Sequence, residues 1–403
     1  MTRQNFCLYP FAAFSIDNPG HTRICCNNNA WNRVHLNKKL SDPTFELEKD
    51  YNNPLHTELR QYVMRDERHP SCKKCWDIED SGAESYREMF NRSFLLDNQD
   101  PEYWISKCDD TGNIKDIELV YLDITFGNKC NLKCVMCSGY NSTLMAKEQF
   151  ENKIINLTHY NKLQSLDWFE DAEQFNKIEK YFPNIQRIHI LGGEPLLIEH
   201  QDFLKKFIDL GISKNIDVSY NSNLTVLPRE ILEVWKEFKR VSLCVSVDAY
   251  GPLNEFIRFP MKWSKLERNF EEVSKIPGNV RLEIHATFGA LNYLGFTNFL
   301  EWSKEMAGKY SILEPVPFFN YIYEPTEFNP IHLPDNIKQI GYDRFSAWES
   351  NNKQFALNGR IQMLKGYYKA ILETPGDPKK WTKCLEQVAY FERVRNTTFP
   401  GFN

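Results

Sequence analysis

Cys130, Cys134 and Cys137 stand three and then two residues apart, directly behind the run Ile117 to Thr125, which reads as a strand. Thiolates are the soft ligands that iron–sulfur clusters require, and this spacing lets one short loop wrap three corners of a cubane. The fourth iron is then left without a protein thiolate. A zinc knuckle, or three unrelated core cysteines, would use the same residues. The loop therefore has to be read with its surroundings.

Eleven cysteines is an odd number, and seven of them fall in tight local patterns. That favours metal ligation over a disulfide framework and implies a reducing, cytoplasmic compartment. Residues Met1 to Phe14 are interrupted by Pro10 and lack a cationic start or small-residue cleavage site, so no signal peptide is read. No run approaches the roughly 18 apolar residues of a membrane span. A net charge of -5 offers no basic excess to release counterions, which argues against nonspecific nucleic-acid binding.

With 403 residues, 42% of them hydrophobic, the chain suits two or three folded domains. A polar stretch at Asp97 to Lys115 and a shift after Pro330 divide it into residues 1–110, 111–330 and 331–403. The middle region reads as strands Ile117 to Thr125, Ile185 to Ile190, Ile216 to Tyr220, Arg240 to Val247 and Val280 to Phe288. Between them lie amphipathic patterns at Trp168 to Tyr181 after the cap Ser165, at His200 to Leu210 and at Arg229 to Phe238. Such alternation implies an α/β fold with a parallel sheet, whose strand C-terminal ends hold the active site when it curls into a barrel.

The first region carries two helical patterns, Leu55 to Met64 and Asp77 to Phe94, with little apolar periodicity between them. It is expected to need something besides a core to hold it. The tail reads as helices at Ile337 to Trp348, Phe355 to Leu372 and Trp381 to Arg395.

The second strand ends in Leu191-Gly192-Gly193-Glu194-Pro195, where glycines let the backbone approach what a side chain would exclude, although a plain turn uses the same residues. Tyr220-Asn221-Ser222-Asn223 closes the third strand, Ser246-Val247-Asp248 closes the fourth, and Arg258 follows ten residues later. With the CxxxCxxC loop, this constellation resembles the radical S-adenosylmethionine (SAM) superfamily; Met136 stands where that signature has an aromatic residue. The resemblance implies a partial (β/α)6 TIM-like barrel with a 4Fe-4S cluster on Cys130, Cys134 and Cys137. It also implies SAM contacts from Gly192, Gly193, Glu194, Pro195, Ser222 or Asn223, Ser246 and Asp248, with Arg258 near the SAM carboxylate or else a surface arginine.

Glu283, His285 and Thr287 share one face of the fifth strand at period two and line the substrate cavity if that face points inward. A polar outer face, or a histidine satisfied by a neighbour, is equally open. Cys244 reads as a small buried apolar residue.

Four further thiols, Cys7, Cys25 (four residues beyond Gly20), Cys72 and Cys75, make a second set able to fill a complete tetrahedral or cubane site. The pattern resembles the twitch domain, a short relative of the SPASM auxiliary-cluster domain, with Tyr9-Pro10-Phe11 and Ser85-Tyr86-Arg87 as similar surroundings. It implies an auxiliary 4Fe-4S cluster, here amino-terminal although such modules usually follow the barrel. Structural zinc would suit the same four thiols, and Cys26 competes with Cys25 for its place. Cys26, Cys108 and Cys384 are read as nonligands.

The resemblance thus implies reductive cleavage of SAM to a 5'-deoxyadenosyl radical and hydrogen abstraction from a substrate carbon, with a reducing partner such as flavodoxin or ferredoxin. The first expectation for the substrate is a ribosomally made peptide or protein. A small sugar, nucleoside or amino-acid metabolite is the alternative, and a metal-stabilised binding protein without catalysis is a third reading. The tail is expected to be a helical extension of unassigned role.

Overall fold

The computed structural model describes every residue except 1, 2, 29–36, 81, 83, 96–99, 165, 171, 277 and 403. Ser165 and Asp97, named above as a cap and a boundary, lie outside the described residues. Among the described residues eight strands form one sheet: β1 (Ala13–Ile16), β2 (Thr22–Arg23), β3 (Tyr121–Phe126), β4 (Arg187–Gly192), β5 (Asp217–Ser222), β6 (Arg240–Ser246), β7 (Val280–Phe288) and β8 (Phe318–Tyr321). Their order is β2-β1-β3-β4-β5-β6-β7-β8, parallel throughout except for β2 against β1. Among the described residues β2 and β8 are the two edges, so the sheet is open there.

β7 shows how sequence sets orientation. Val280, Leu282, Ile284, Ala286 and Phe288 are buried while Glu283, His285 and Thr287 are half-buried. The apolar set packs against helices, as in the edge-to-face contact of Phe288 with Phe296 at 4.8 Å, and the polar set turns to the other face. His189 on β4 and Ser219 on β5 meet at 2.6 Å as cross-strand partners.

The first region differs most from expectation. Phe6, Leu8, Tyr9, Phe11 and Phe14 are buried in the same core as the main sheet. β1 adds to β3 in parallel, with Ser15 opposite Asp123, and the Asp123 carboxylate accepts hydrogen bonds from Tyr9 at 2.9 Å and Ser15 at 3.2 Å. A four-residue strand is too short to show its alternation in sequence. The pattern Asp77 to Phe94 splits into helices Lys73–Asp80 and Tyr86–Leu95. Gly82 takes φ +82°, and Ser85 and Glu88 cap each other reciprocally at 2.9 and 3.2 Å, which starts the second helix anew.

The pattern Trp168 to Tyr181 forms short 3-10 stretches, Ala172–Lys177 and Glu179–Asn184, the second containing Pro183. Its aromatic residues dock individually, Trp168 stacking on Phe126 and Phe175 meeting Phe203. The tail folds as helices Asp335–Asn351, Gly359–Glu373 and Pro378–Arg395. Among the described residues no helix is long and apolar enough to cross a membrane.

Candidate active site

Cys130, Cys134 and Cys137 lie on the loop leaving the C-terminal end of β3. The loop is held by backbone and buried polar groups. Lys133 N donates to Phe259 O at 2.7 Å and Val135 N to Ile257 O at 2.8 Å. Asn128 donates to Gly139 O and Leu163 O, each at 3.0 Å, and Ser142 donates to Leu132 O at 2.5 Å. Burial pushes the Cys130 and Cys137 thiols up to about 12, and neighbouring cysteines of the trio add to both shifts. Leu132 N donates to Cys130 Sγ at 3.4 Å, and the Arg258 guanidinium reaches Cys134 Sγ at 4.0 Å.

Gly192 and Gly193 are required by the loop itself. A Cβ on Gly193 would stand 2.5 Å from Lys129 O and 2.6 Å from Asn128 O; one on Gly192 would stand 2.8 Å from Phe126 O. Without side chains, the end of β4 closes on the cysteine loop, and Glu194 N donates to Lys129 O at 2.9 Å.

The Glu194 carboxylate is buried and turns toward β5. It accepts from Ser222 Oγ at 2.7 Å, Asn223 N at 2.6 Å and Leu196 N at 3.1 Å. Burial pushes it up to about 7 against these hydrogen bonds, which favour its ionised form. Asn223 donates to Asn131 Oδ1 at 3.0 Å, and Asn131 donates to Thr225 Oγ1 at 2.7 Å. Residues expected at the SAM therefore also fix the loop beside Cys130, with Pro195 buried behind them.

Asp248, fully buried, is bracketed by Arg258, with Nε 2.8 Å from Oδ2 and Nη2 donating to Oδ1 at 3.0 Å. Thr287 N also donates to Oδ1 at 2.7 Å. Arg258, itself half-buried, thus links the turn after β6 to Cys134 and is not a free surface arginine. Ser246 is half-buried at the end of β6 opposite His285. Sequence reasoning missed Asn254 and Asn292, which hold the turn after β6: Asn254 accepts from Asp248 N at 2.9 Å, and Asn292 donates to Asp248 O at 2.7 Å.

Cys7, Cys25, Cys72 and Cys75 line one partly open pocket together with Ile24 and Trp76. Cys26 does not line it. Burial raises the Cys7 thiol and pushes Cys72 up to about 11, each thiol also feeling its neighbours. Arg87 binds Glu79 at 2.7 and 2.9 Å and Phe6 O at 2.5 Å, so the Cys75 helix is tied to the residue before Cys7.

Residues 124–289, under half of the chain, match the family described as the radical SAM superfamily. The matched segment holds the three-cysteine loop, the Gly192 to Pro195 turn and the Asp248–Arg258 pair. Among solved structures, the chain is similar to anSMEcpe with bound AdoMet, at 17% identity over 60% of this chain and 62% of that chain, with a TM-score of 0.40. It is similar to SuiB of Streptococcus suis at 14% identity over 75% of this chain and 64% of that chain, with a TM-score of 0.39. The match spans less than two thirds of either relative. anSMEcpe has also been solved with a Cp18Cys peptide, and SuiB with precursor peptide SuiA. No curated protein matches the chain.

Proposed function

We propose that the chain is a radical SAM enzyme that abstracts hydrogen from a substrate carbon. The observation that carries this reading is the set of three thiols on one loop at the C-terminal end of β3, packed against the Gly192–Gly193 turn. The donor set fits a site-differentiated 4Fe-4S cluster: three soft ligands held on a loop whose neighbours fix its backbone, with an arginine beside Cys134 to favour thiolate. Once bound there, the cluster and SAM would supply an electron to the sulfonium and a 5'-deoxyadenosyl radical.

The chain's own residues hold that arrangement. Gly193 permits the close approach, Glu194 joins β4 to β5, and Asn223 pins Asn131. Ser246 and the polar face of β7 border the space a substrate would enter. Arg258 keeps a positive charge against Cys134, and Asp248 keeps Arg258 in place.

Cys7, Cys25, Cys72 and Cys75 would hold an auxiliary 4Fe-4S cluster in the amino-terminal module, residues 1–110, ahead of the barrel at 111–330 and the extension at 331–403. Their convergence on one cavity supports it. A flavodoxin- or ferredoxin-like protein would supply electrons.

A peptide or protein is the proposed substrate. The open sheet leaves a side unclosed, and Tyr140, Tyr250 and Tyr323 are 39, 48 and 61% exposed on segments that follow β3, β6 and β8. Aromatic side chains with one polar end suit peptide recognition. The test is anaerobic incubation of reconstituted protein with dithionite and SAM. The reading predicts 5'-deoxyadenosine from the native chain and none from Cys134→Ala; equal background from both would overturn it.

A further inference from the structure

On the polar face of the sheet, Cys244, Glu283 and His285 each place a ligand atom within 4.8 Å of the other two. The strand register creates this convergence. Cys244 of β6 stands directly opposite Glu283 of β7, and His285 is two residues further along, on the same face. We propose that these three side chains form a mononuclear divalent-cation site, best matched to zinc and separate from both cysteine sets.

The donor set is a thiolate, an imidazole and a carboxylate, the mixture that zinc accepts at about 2.0 to 2.3 Å in tetrahedral geometry. Glu283 Oε2 and His285 Nε2 lie 3.0 Å apart, close to the edge of such a tetrahedron. Arg360 pairs with the other carboxylate oxygen, Oε1, and Phe318 packs on the imidazole at 4.8 Å between ring centres. Outer partners of this kind fix ligand orientation. A hydrogen-bonded Arg360–Glu283–His285 network accounts for the carboxylate and the ring, and the convergence of the buried Cys244 thiol on them adds the third ligand. Both Glu283 and His285 are half-buried, so solvent reaches this donor set. Binding sends the Cys244 thiol proton to solvent and moves the imidazole proton from Nε2 to Nδ1. Three protein ligands and one open position suit a site that takes water or a substrate heteroatom.

The site stands on side chains outside the radical SAM constellation, and its test is independent of SAM cleavage. Full-length protein carrying its clusters is exposed to zinc, freed of loose metal and analysed for zinc and iron, with X-ray absorption at the zinc edge. The expected result is about one zinc with one sulfur near 2.3 Å and the remaining ligands nitrogen or oxygen. Cys244→Ser and His285→Ala lose that zinc with iron unchanged, while Cys72→Ser keeps it. No retained zinc, an all-sulfur shell, or zinc that disappears with Cys72 and persists without Cys244 would overturn the site. The absorption spectrum of the native chain decides even if a variant folds poorly.

Discussion

Arg395 and Glu148, 247 residues apart in sequence, form a buried ion pair with Arg395 Nη2 2.8 Å from Glu148 Oε1. Their side chains are 1 and 2% exposed. Glu148 Oε2 in turn lies 2.5 Å from Lys133 Nζ, and Lys133 is the residue before Cys134. Arg395 also stacks over Phe391 at 4.1 Å and faces Phe259 at 5.4 Å, the residue whose carbonyl holds Lys133 N. The final helix therefore braces the three-cysteine loop, which gives the tail a positional role.

Breaking a buried pair by removing one partner leaves an uncompensated charge and costs about 3 to 5 kcal/mol. Because Lys133 still pairs with Glu148, Arg395→Met is expected to lower stability by only part of that amount and to reduce iron retained per chain. The double change Arg395→Met with Glu148→Leu recovers much of the stability. Anaerobic denaturant titration with iron analysis checks both, and a single variant as stable and iron-rich as the native chain would remove the brace.

Gly193→Ala puts a methyl group 2.5 Å from a backbone oxygen that has no room to retreat. Overpacking of this kind costs about 1 to 3 kcal/mol, here taken from the fit of β4 against the loop. SAM affinity is expected to fall by about tenfold or more, measured by calorimetry on reconstituted protein.

His200 is buried and neutral: its Nδ1 faces Ile198 O at 2.7 Å as donor, and its Nε2 faces Tyr220 OH at 2.9 Å as acceptor. Burial pushes it down to about 4 from an ordinary 6.5. The unfolded chain binds the proton more readily, so stability is whole above about pH 6.5 and is lost as pH falls toward 4. The full loss is on the order of 3 kcal/mol. His200→Gln flattens that part of the profile, read by denaturation between pH 7.5 and 4.5. Some slope remains from His56, which burial pushes down to about 3.

Replacing Cys72 and Cys75 together with alanine should halve the iron of reconstituted protein, from about eight to about four per chain. An unchanged iron count would place no cluster in the amino-terminal cavity.

The middle of the fold was legible because its strands are long enough to show their period. Val280 to Phe288 matches the observed strand end to end, and the other four predicted strands fall within a few residues of β3, β4, β5 and β6. β1 and β8 are four residues each and carry no such signal. Grouping of the cysteines was readable from local spacing, since Cys72 and Cys75 sit one helical turn apart. The reach of Arg395 to Glu148 was not, because a single ionic contact across 247 residues leaves no periodic trace. Similarly, Gly193 was read as making room for a ligand, whereas the atoms that exclude its side chain belong to Asn128 and Lys129. Only the packed loop shows that.

The most direct test is the electron–nuclear double resonance spectrum of the reduced cluster with SAM labelled with nitrogen-15 and carbon-13 at its amino and carboxylate groups. The account predicts hyperfine coupling from both labels, because the three thiolates leave one iron open to chelation. A spectrum without coupling from either label, in protein carrying the cluster on Cys130, Cys134 and Cys137, would contradict it.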